Sequence, residues 1–205
     1  MPHYKLIYFN SMGRAEVTRL IFAQAGVQYE DYRLKDGEFP AIKPNLKFGQ
    51  VPVLEVDGKQ LCQSHTIARY VAREHGLAGK NSWESAECDM LVDGVSDVQS
   101  HLMAWFFEKD EEKKKELWQK LENDHLKPFL QLYSKFLQTN GSGYFVGNEV
   151  TWADLCVYCF VNFLRLKNPA LLDLDGCDHI KTFLKKIENL PNIKQWIEKR
   201  PQTHM

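Results

Sequence analysis

From Gly49 to Ser64 the chain reads Gly-Gln-Val-Pro-Val-Leu-Glu-Val-Asp-Gly-Lys-Gln-Leu-Cys-Gln-Ser, a β-hairpin with unusual residues at both ends. Asp57-Gly58 is a two-residue turn signal flanked by the apolar runs Val51–Val56 and Leu61–Cys62. Pro52, opening the first strand, brings no backbone donor and holds Val51 extended, so the Val51 main chain is left to pair with something that is not protein. At the far end Ser64 stands where an N-cap belongs, ahead of helical character from His65 to His75 that stops at Gly76. Uncapped N–H groups at the positive end of a helix, beside a free strand edge, suit a peptide-like ligand that carries a carboxylate.

Each half also has an ordinary reading, since X-Pro is a common edge device and serine a common cap. What surrounds the hairpin lifts the pair above that reading. Tyr4–Phe9 reads as a strand. Gly13-Arg14-Ala15-Glu16 starts a helix whose Val17, Leu20 and Ile21 share one face, closed by Gly26. Tyr29–Leu34 reads as a second strand, and a loop over Asp36–Pro40 leads to the hairpin. After the polar connection Ala78-Gly79-Lys80-Asn81 no strand signal follows. Trp83–Phe107 and Glu112–Leu137 carry apolar residues at three- and four-residue steps, with Pro128 bending the second. Thr151-Trp152-Ala153-Asp154 is a capping-box variant opening a further helix, which Asn168-Pro169 ends; shorter helices over 180–189 and 192–199 complete the chain. The expected fold class is α/β plus all-α: a βαβ-ββα domain over residues 1–77, then an all-helical domain over 82–205.

A length of 205 residues with 44% apolar content supplies core enough for two small domains. The 26 basic residues are interspersed with 27 acidic ones, which argues against nucleic acid or an anionic membrane surface as partner. No apolar run approaches the roughly 18 residues of a membrane span, and the first residues run straight into a strand, so a cytoplasmic location is expected. Five scattered cysteines, an odd number, read as reduced thiols. Cys156-Val157-Tyr158-Cys159 has redox-pair spacing, but it lies inside a helix past its cap rather than at a strand-to-helix turn, and reads as core or pocket lining.

Five motifs occur in order: Tyr8-Phe9-Asn10; Gly13-Arg14-Ala15-Glu16; Phe48-Gly49-Gln50-Val51-Pro52; Gln63-Ser64 with Ile67-Ala68-Arg69-Tyr70; and Thr151-Trp152-Ala153-Asp154. On these residues the whole chain resembles the cytosolic glutathione transferases, specifically the sigma class that includes the glutathione-dependent prostaglandin D synthases. The resemblance implies a thioredoxin-like first domain, glutathione as co-substrate, a homodimer, and a hydrophobic electrophile entering between the domains. It also implies two alternatives: isomerisation of prostaglandin H2 to prostaglandin D2, or a non-catalytic carrier or crystallin-like protein. Only five Met and an intact set of site residues disfavour the last.

By the same resemblance Tyr8 donates a hydrogen bond to the glutathione thiolate, as a phenol that keeps its proton at neutral pH can do. Arg14 acts by charge and by orienting Tyr8; read on its own it is a surface arginine pairing with Glu16 or Asp36, and both readings stand. The Val51 main chain pairs with the cysteinyl part, within the segment Gly49, Gln50, Val51 and Pro52. Gln63 and Ser64 take the γ-glutamyl carboxylate, Lys43 the glycyl carboxylate, and Asp97 of the other subunit the glutamyl amine. Phe39 stands where sigma members carry Trp; it keeps the ring and lacks the indole donor, which implies weaker glutathione binding. Phe9, Met12, Trp105, Cys156 and Cys159 are the candidates for the electrophile pocket. Asp93 and Asp97 match only part of the family's divalent-cation cluster, since Ser96 replaces an aspartate, and no metal is expected.

Overall fold

The computed structural model describes residues 2–203. Contacts divide the chain into two units, Met1–Ala78 with Glu188–Met205, and Gly79–Ile187.

In the first unit β1 (Tyr4–Phe9) is central because both its neighbours can use it: β2 (Glu30–Leu34) lies parallel on one side, β3 (Val53–Val56) antiparallel on the other, and β4 (Lys59–Cys62) closes the order β2-β1-β3-β4. Helix α1 (Glu16–Ala25) supplies the crossover from β1 to β2 that a parallel pair requires. Asp57 and Gly58 both take positive φ, 48° and 81°, so the two-residue turn has the hand that matches strand twist. The ladder ends at Val53 opposite Cys62, two residues later than the strand expected from Val51. Pro52 has no N–H to extend it, the Val51–Pro52 bond is cis, and Val51 enters none of the register pairs. Where a loop was expected at 36–40, a short helix α2 (Phe39–Ile42) begins with Pro40 in its first turn.

Helix α3 (Ser64–Glu74) packs on α1 and on β3, and its Ile67, Ala68 and Val71 are fully buried, as are Leu20 and Ile21 of α1 and Leu54 of β3. The terminal helix α9 (Pro191–Lys199) also packs on α1. A buried acid ties the chain's end to this unit: Glu16, 3% exposed, accepts hydrogen bonds from Trp196 Nε1 and Arg200 Nη1, each at 2.8 Å.

The second unit is helical: α4 (Ser82–Phe107), α5 (Glu111–Leu121), α6 (Lys127–Asn140), α7 (Trp152–Lys167) and α8 (Asp178–Glu188). The single helix expected over 112–137 is divided by a π-turn at Glu122–Leu126. Pro128 cannot donate back to Asp124, and the wider turn just upstream accommodates its ring. Helix α7 is the core: Trp152, Ala153, Asp154, Leu155, Val157, Val161 and Leu164 are all fully buried. Its capping box is formed as expected. Asp154 accepts from the Thr151 N–H at 2.7 Å and hydroxyl at 2.8 Å, and from the Phe145 N–H at 2.8 Å. Gly94 lets α6 approach α4, since a methyl group there would stand 2.5 Å from the Tyr133 hydroxyl oxygen, which donates to the Leu91 carbonyl at 2.6 Å.

Candidate active site

Tyr8 lies near the C-terminal end of β1 and is only 8% exposed. The strand exits into a tight turn, Asn10–Met12, and a 3-10 turn at Gly13–Ala15 that aims the Arg14 main-chain N–H at the Tyr8 hydroxyl, 3.1 Å away. The phenol oxygen therefore accepts one hydrogen bond and keeps its own proton available to donate. Only glycine fits at position 13: its φ is +41°, and a methyl there would lie 2.6 Å from the Tyr8 oxygen. The orienting contact to Tyr8 is thus the Arg14 backbone. Glu16, one of the partners weighed for the Arg14 side chain, is engaged by Arg19 and Arg200.

Beside this turn a small solvent-open recess is lined by Arg14, Phe48, Gln50, Val51, Pro52, Cys62, Gln63 and Ser64. It gathers six of the expected glutathione contacts and adds Phe48 and Cys62. Ser64 was expected as the N-cap of α3; the cap position is held by Gln63, and Ser64 is the first helical residue. The Gln63 side chain makes no cap hydrogen bond at this helix end, and a helix N-terminus of this kind suits an anion. Gln63 sits at φ 73°, ψ 117°, a conformation that costs a non-glycine residue about 1–3 kcal/mol and that is typical of ligand clamps. Gln63 is exposed at this junction.

The remaining expected residues are distributed as follows. Lys43 packs its stem against Gly49, the nearest side-chain carbon standing 3.5 Å from a methyl placed there. Phe39 forms an edge contact with Phe9 at 5.3 Å, and Phe9 with Tyr8 at 5.5 Å, a row of rings running back from the phenol. Phe9 is 42% exposed and Met12 partly exposed, so both present surface on the first unit. In the second unit Trp105 packs on Trp118 at 5.0 Å, and Cys159 is partly exposed. Cys156, expected as core or pocket lining, is 1% exposed on the buried length of α7, and burial pushes its thiol up to about 12. Asp97 is exposed on α4, as is Asp93. Among the described residues no group of three His, Cys, Asp or Glu side chains stands close enough to hold a metal ion. All five cysteines are free thiols.

Known families match on both sides of the chain's midpoint. Residues 4–73 match the glutathione S-transferase N-terminal domain and residues 96–200 the C-terminal domain. This chain belongs to the glutathione S-transferase family. Like its relatives, this glutathione S-transferase takes glutathione as co-substrate. It is 44% identical to glutathione S-transferase 1 of Ascaris suum, with 99% of each chain covered, and 41% identical to the hematopoietic prostaglandin D synthase of Mus musculus, with both covered in full. Among solved structures, a monomeric glutathione S-transferase from the hookworm Necator americanus superposes with a TM-score of 0.91 at 39% identity, covering 99% of this chain and 100% of that one.

Proposed function

We propose that the enzyme holds glutathione in the recess lined by Val51, Gln63 and Ser64, stabilises its thiolate with the Tyr8 hydroxyl, and adds the sulfur to a hydrophobic electrophile. The observation that carries this is the Arg14 N–H to Tyr8 contact, which leaves the phenol proton free to donate next to a helix N-terminus. In this reading the γ-glutamyl carboxylate meets the first turn of α3 and the Gln63 amide, the Val51 main chain pairs with the cysteinyl part, and Lys43 meets the glycyl carboxylate. Phe9, in edge contact with Tyr8, and Met12 contribute to electrophile binding. The class is sigma and the location cytoplasmic; no helix among the described residues is long and apolar enough to cross a membrane. The active form is a homodimer in which Asp97 of one copy reaches the amine of the glutathione held by the other. Light scattering at micromolar concentration tests this, and a monomeric mass overturns it.

The identity to the mouse prostaglandin D synthase favours a second chemistry at the same site, isomerisation of prostaglandin H2 with glutathione returned unchanged. Purified protein assayed with glutathione against an aryl halide and against prostaglandin H2 separates the two. Conjugation alone selects the first, isomerisation alone the second, and silence in both assays selects a carrier.

Two binding results follow from the site. Gln63→Ala removes a donor to a charged group while keeping the main chain, so glutathione affinity falls about ten- to a hundredfold, corresponding to roughly 1.5–3 kcal/mol, with the melting temperature unchanged. Calorimetric titration and a melting scan check both halves. Phe39→Trp restores an indole donor and tightens glutathione by up to about 1.5 kcal/mol; an unchanged Kd removes position 39 from the glycyl site.

A further inference from the structure

Beneath Tyr8 lies a set of buried and half-buried charges that the thiol chemistry above leaves unused. Arg19, fully buried in α1, donates from Nη1 to the carbonyl oxygens of Ser11 at 2.6 Å and Met12 at 3.3 Å and to Glu16 Oε2 at 3.2 Å. Its Nε donates to Asp31 Oδ1 at 2.9 Å. Ser11 and Met12 are the residues that deliver the chain into the 3-10 turn carrying the Arg14 N–H. From the other side Glu16 Oε1 is held by Trp196 and Arg200, and Asp31 Oδ2 by Arg33 Nε at 2.8 Å. Three guanidinium groups thus face two carboxylates. Arg19 Nη2 has no hydrogen-bond partner among the described residues, and the guanidinium carbon lies 5.9 Å from the centre of the Tyr8 ring. Buried ion networks add little net stability against apolar packing; what they fix is geometry. Here the geometry fixed is that of the turn under the phenol.

We propose that Arg19 is a positioning residue for thiol activation: by holding the Ser11 and Met12 carbonyls it sets the Arg14 N–H against the Tyr8 hydroxyl, and α9 keeps Arg19 in place through Glu16. The inference rests on the reading of Tyr8 as the donor to the thiolate. A hydroxyl that accepts a well-aligned N–H donates more strongly, because hydrogen bonds in series polarise one another in a low-dielectric site. The excess positive charge beneath it further favours an anion above. An ammonium at position 19 keeps the charge but lacks the planar fork that reaches carbonyls and carboxylates together.

The test compares wild type with Arg19→Lys by the ultraviolet thiolate absorbance of bound glutathione as a function of pH, by the pH profile of kcat/KM with an aryl halide, and by calorimetric binding of S-methylglutathione. In Arg19→Lys the thiol titration moves alkaline by about one pH unit and kcat/KM at neutral pH falls about tenfold, while the S-methylglutathione Kd stays within about threefold. A folded variant whose titration coincides with that of wild type overturns the proposal, as does activity lost only in proportion to folded protein. Should Arg19→Lys fail to fold, Glu16→Gln takes its place. It keeps an acceptor for Trp196, drops the charge that grips Arg19, and carries the same expected direction and the same overturning result. Wild-type protein that binds glutathione with its thiol as acidic as in buffer overturns the Tyr8 reading, and the brace with it, before any variant is made.

Discussion

Tyr8→Phe lowers kcat/KM for conjugation about ten- to a hundredfold at neutral pH and leaves glutathione binding nearly intact, because one hydrogen bond to an anion is lost and the recess is untouched. A free thiol titrates near 8.5, so only a few per cent is ionised at pH 7; lowering that value by about two units requires roughly 2.7 kcal/mol of preferential anion stabilisation. One charge-assisted hydrogen bond supplies roughly 1.5–3 kcal/mol, which is most of the requirement. The phenol is suited to the part because its oxygen is already occupied as acceptor from the Arg14 N–H, so rotation of the hydroxyl toward another acceptor is the one freedom left to it. Two measurements check the expectation: kcat/KM across pH, which shifts alkaline in the variant, and the glutathione Kd at pH 7, which weakens by no more than about fourfold, the share that thiolate stabilisation adds to binding at that pH. Unchanged kcat/KM would place thiol activation elsewhere, with the helix terminus and Arg14 as the remaining sources of positive potential.

Much of this site was legible because its signals are local. Asp57-Gly58 can hardly be anything but a tight turn, Pro52 cannot serve a ladder, and the apolar steps of α4 and α7 match the helical period over many residues. The parts that escaped depend on distance or on energy paid elsewhere. Nothing in a glutamine announces a positive φ; Gln63 adopts it because the strand-to-helix junction after Cys62 demands it, and Ser64 is thereby moved from cap to first helical residue. Helix α2 is four residues long, too short for periodicity to show, and Pro40 alone hints at its start. Glu16 reads as an exposed first-turn acid, yet it is buried by partners 180 and 184 positions away, which no local pattern carries. Cys156 reads from its helical position as core or pocket lining, and only its burial, 1% exposed on α7, places it among the core side chains.

Asp154→Ala destabilises the fold by about 3 kcal/mol at pH 7, well beyond the ~1 kcal/mol of an ordinary exposed cap. The difference comes from burial. Asp154 is fully buried and serves three donors, so alanine strands the Phe145 and Thr151 N–H groups and the Thr151 hydroxyl where water does not reach. Each buried N–H left unpaired costs about 1–3 kcal/mol. Burial outweighs these hydrogen bonds in setting the acidity of the group and pushes its carboxyl up to about 6. In the unfolded chain an aspartate titrates near 3.9. Between these values the folded protein binds a proton that the unfolded chain does not, so wild-type stability gains from this group as pH falls through 6 and the gain is complete below about 4. The alanine variant has no such group. The gap between the two proteins therefore widens on acidification, by about 1 kcal/mol from pH 7 to pH 5, while every other carboxylate contributes equally to both. Urea midpoints of wild type and variant at the two pH values measure it. A gap that narrows toward pH 5 would mean that the three donors, rather than desolvation, govern the acidity of Asp154.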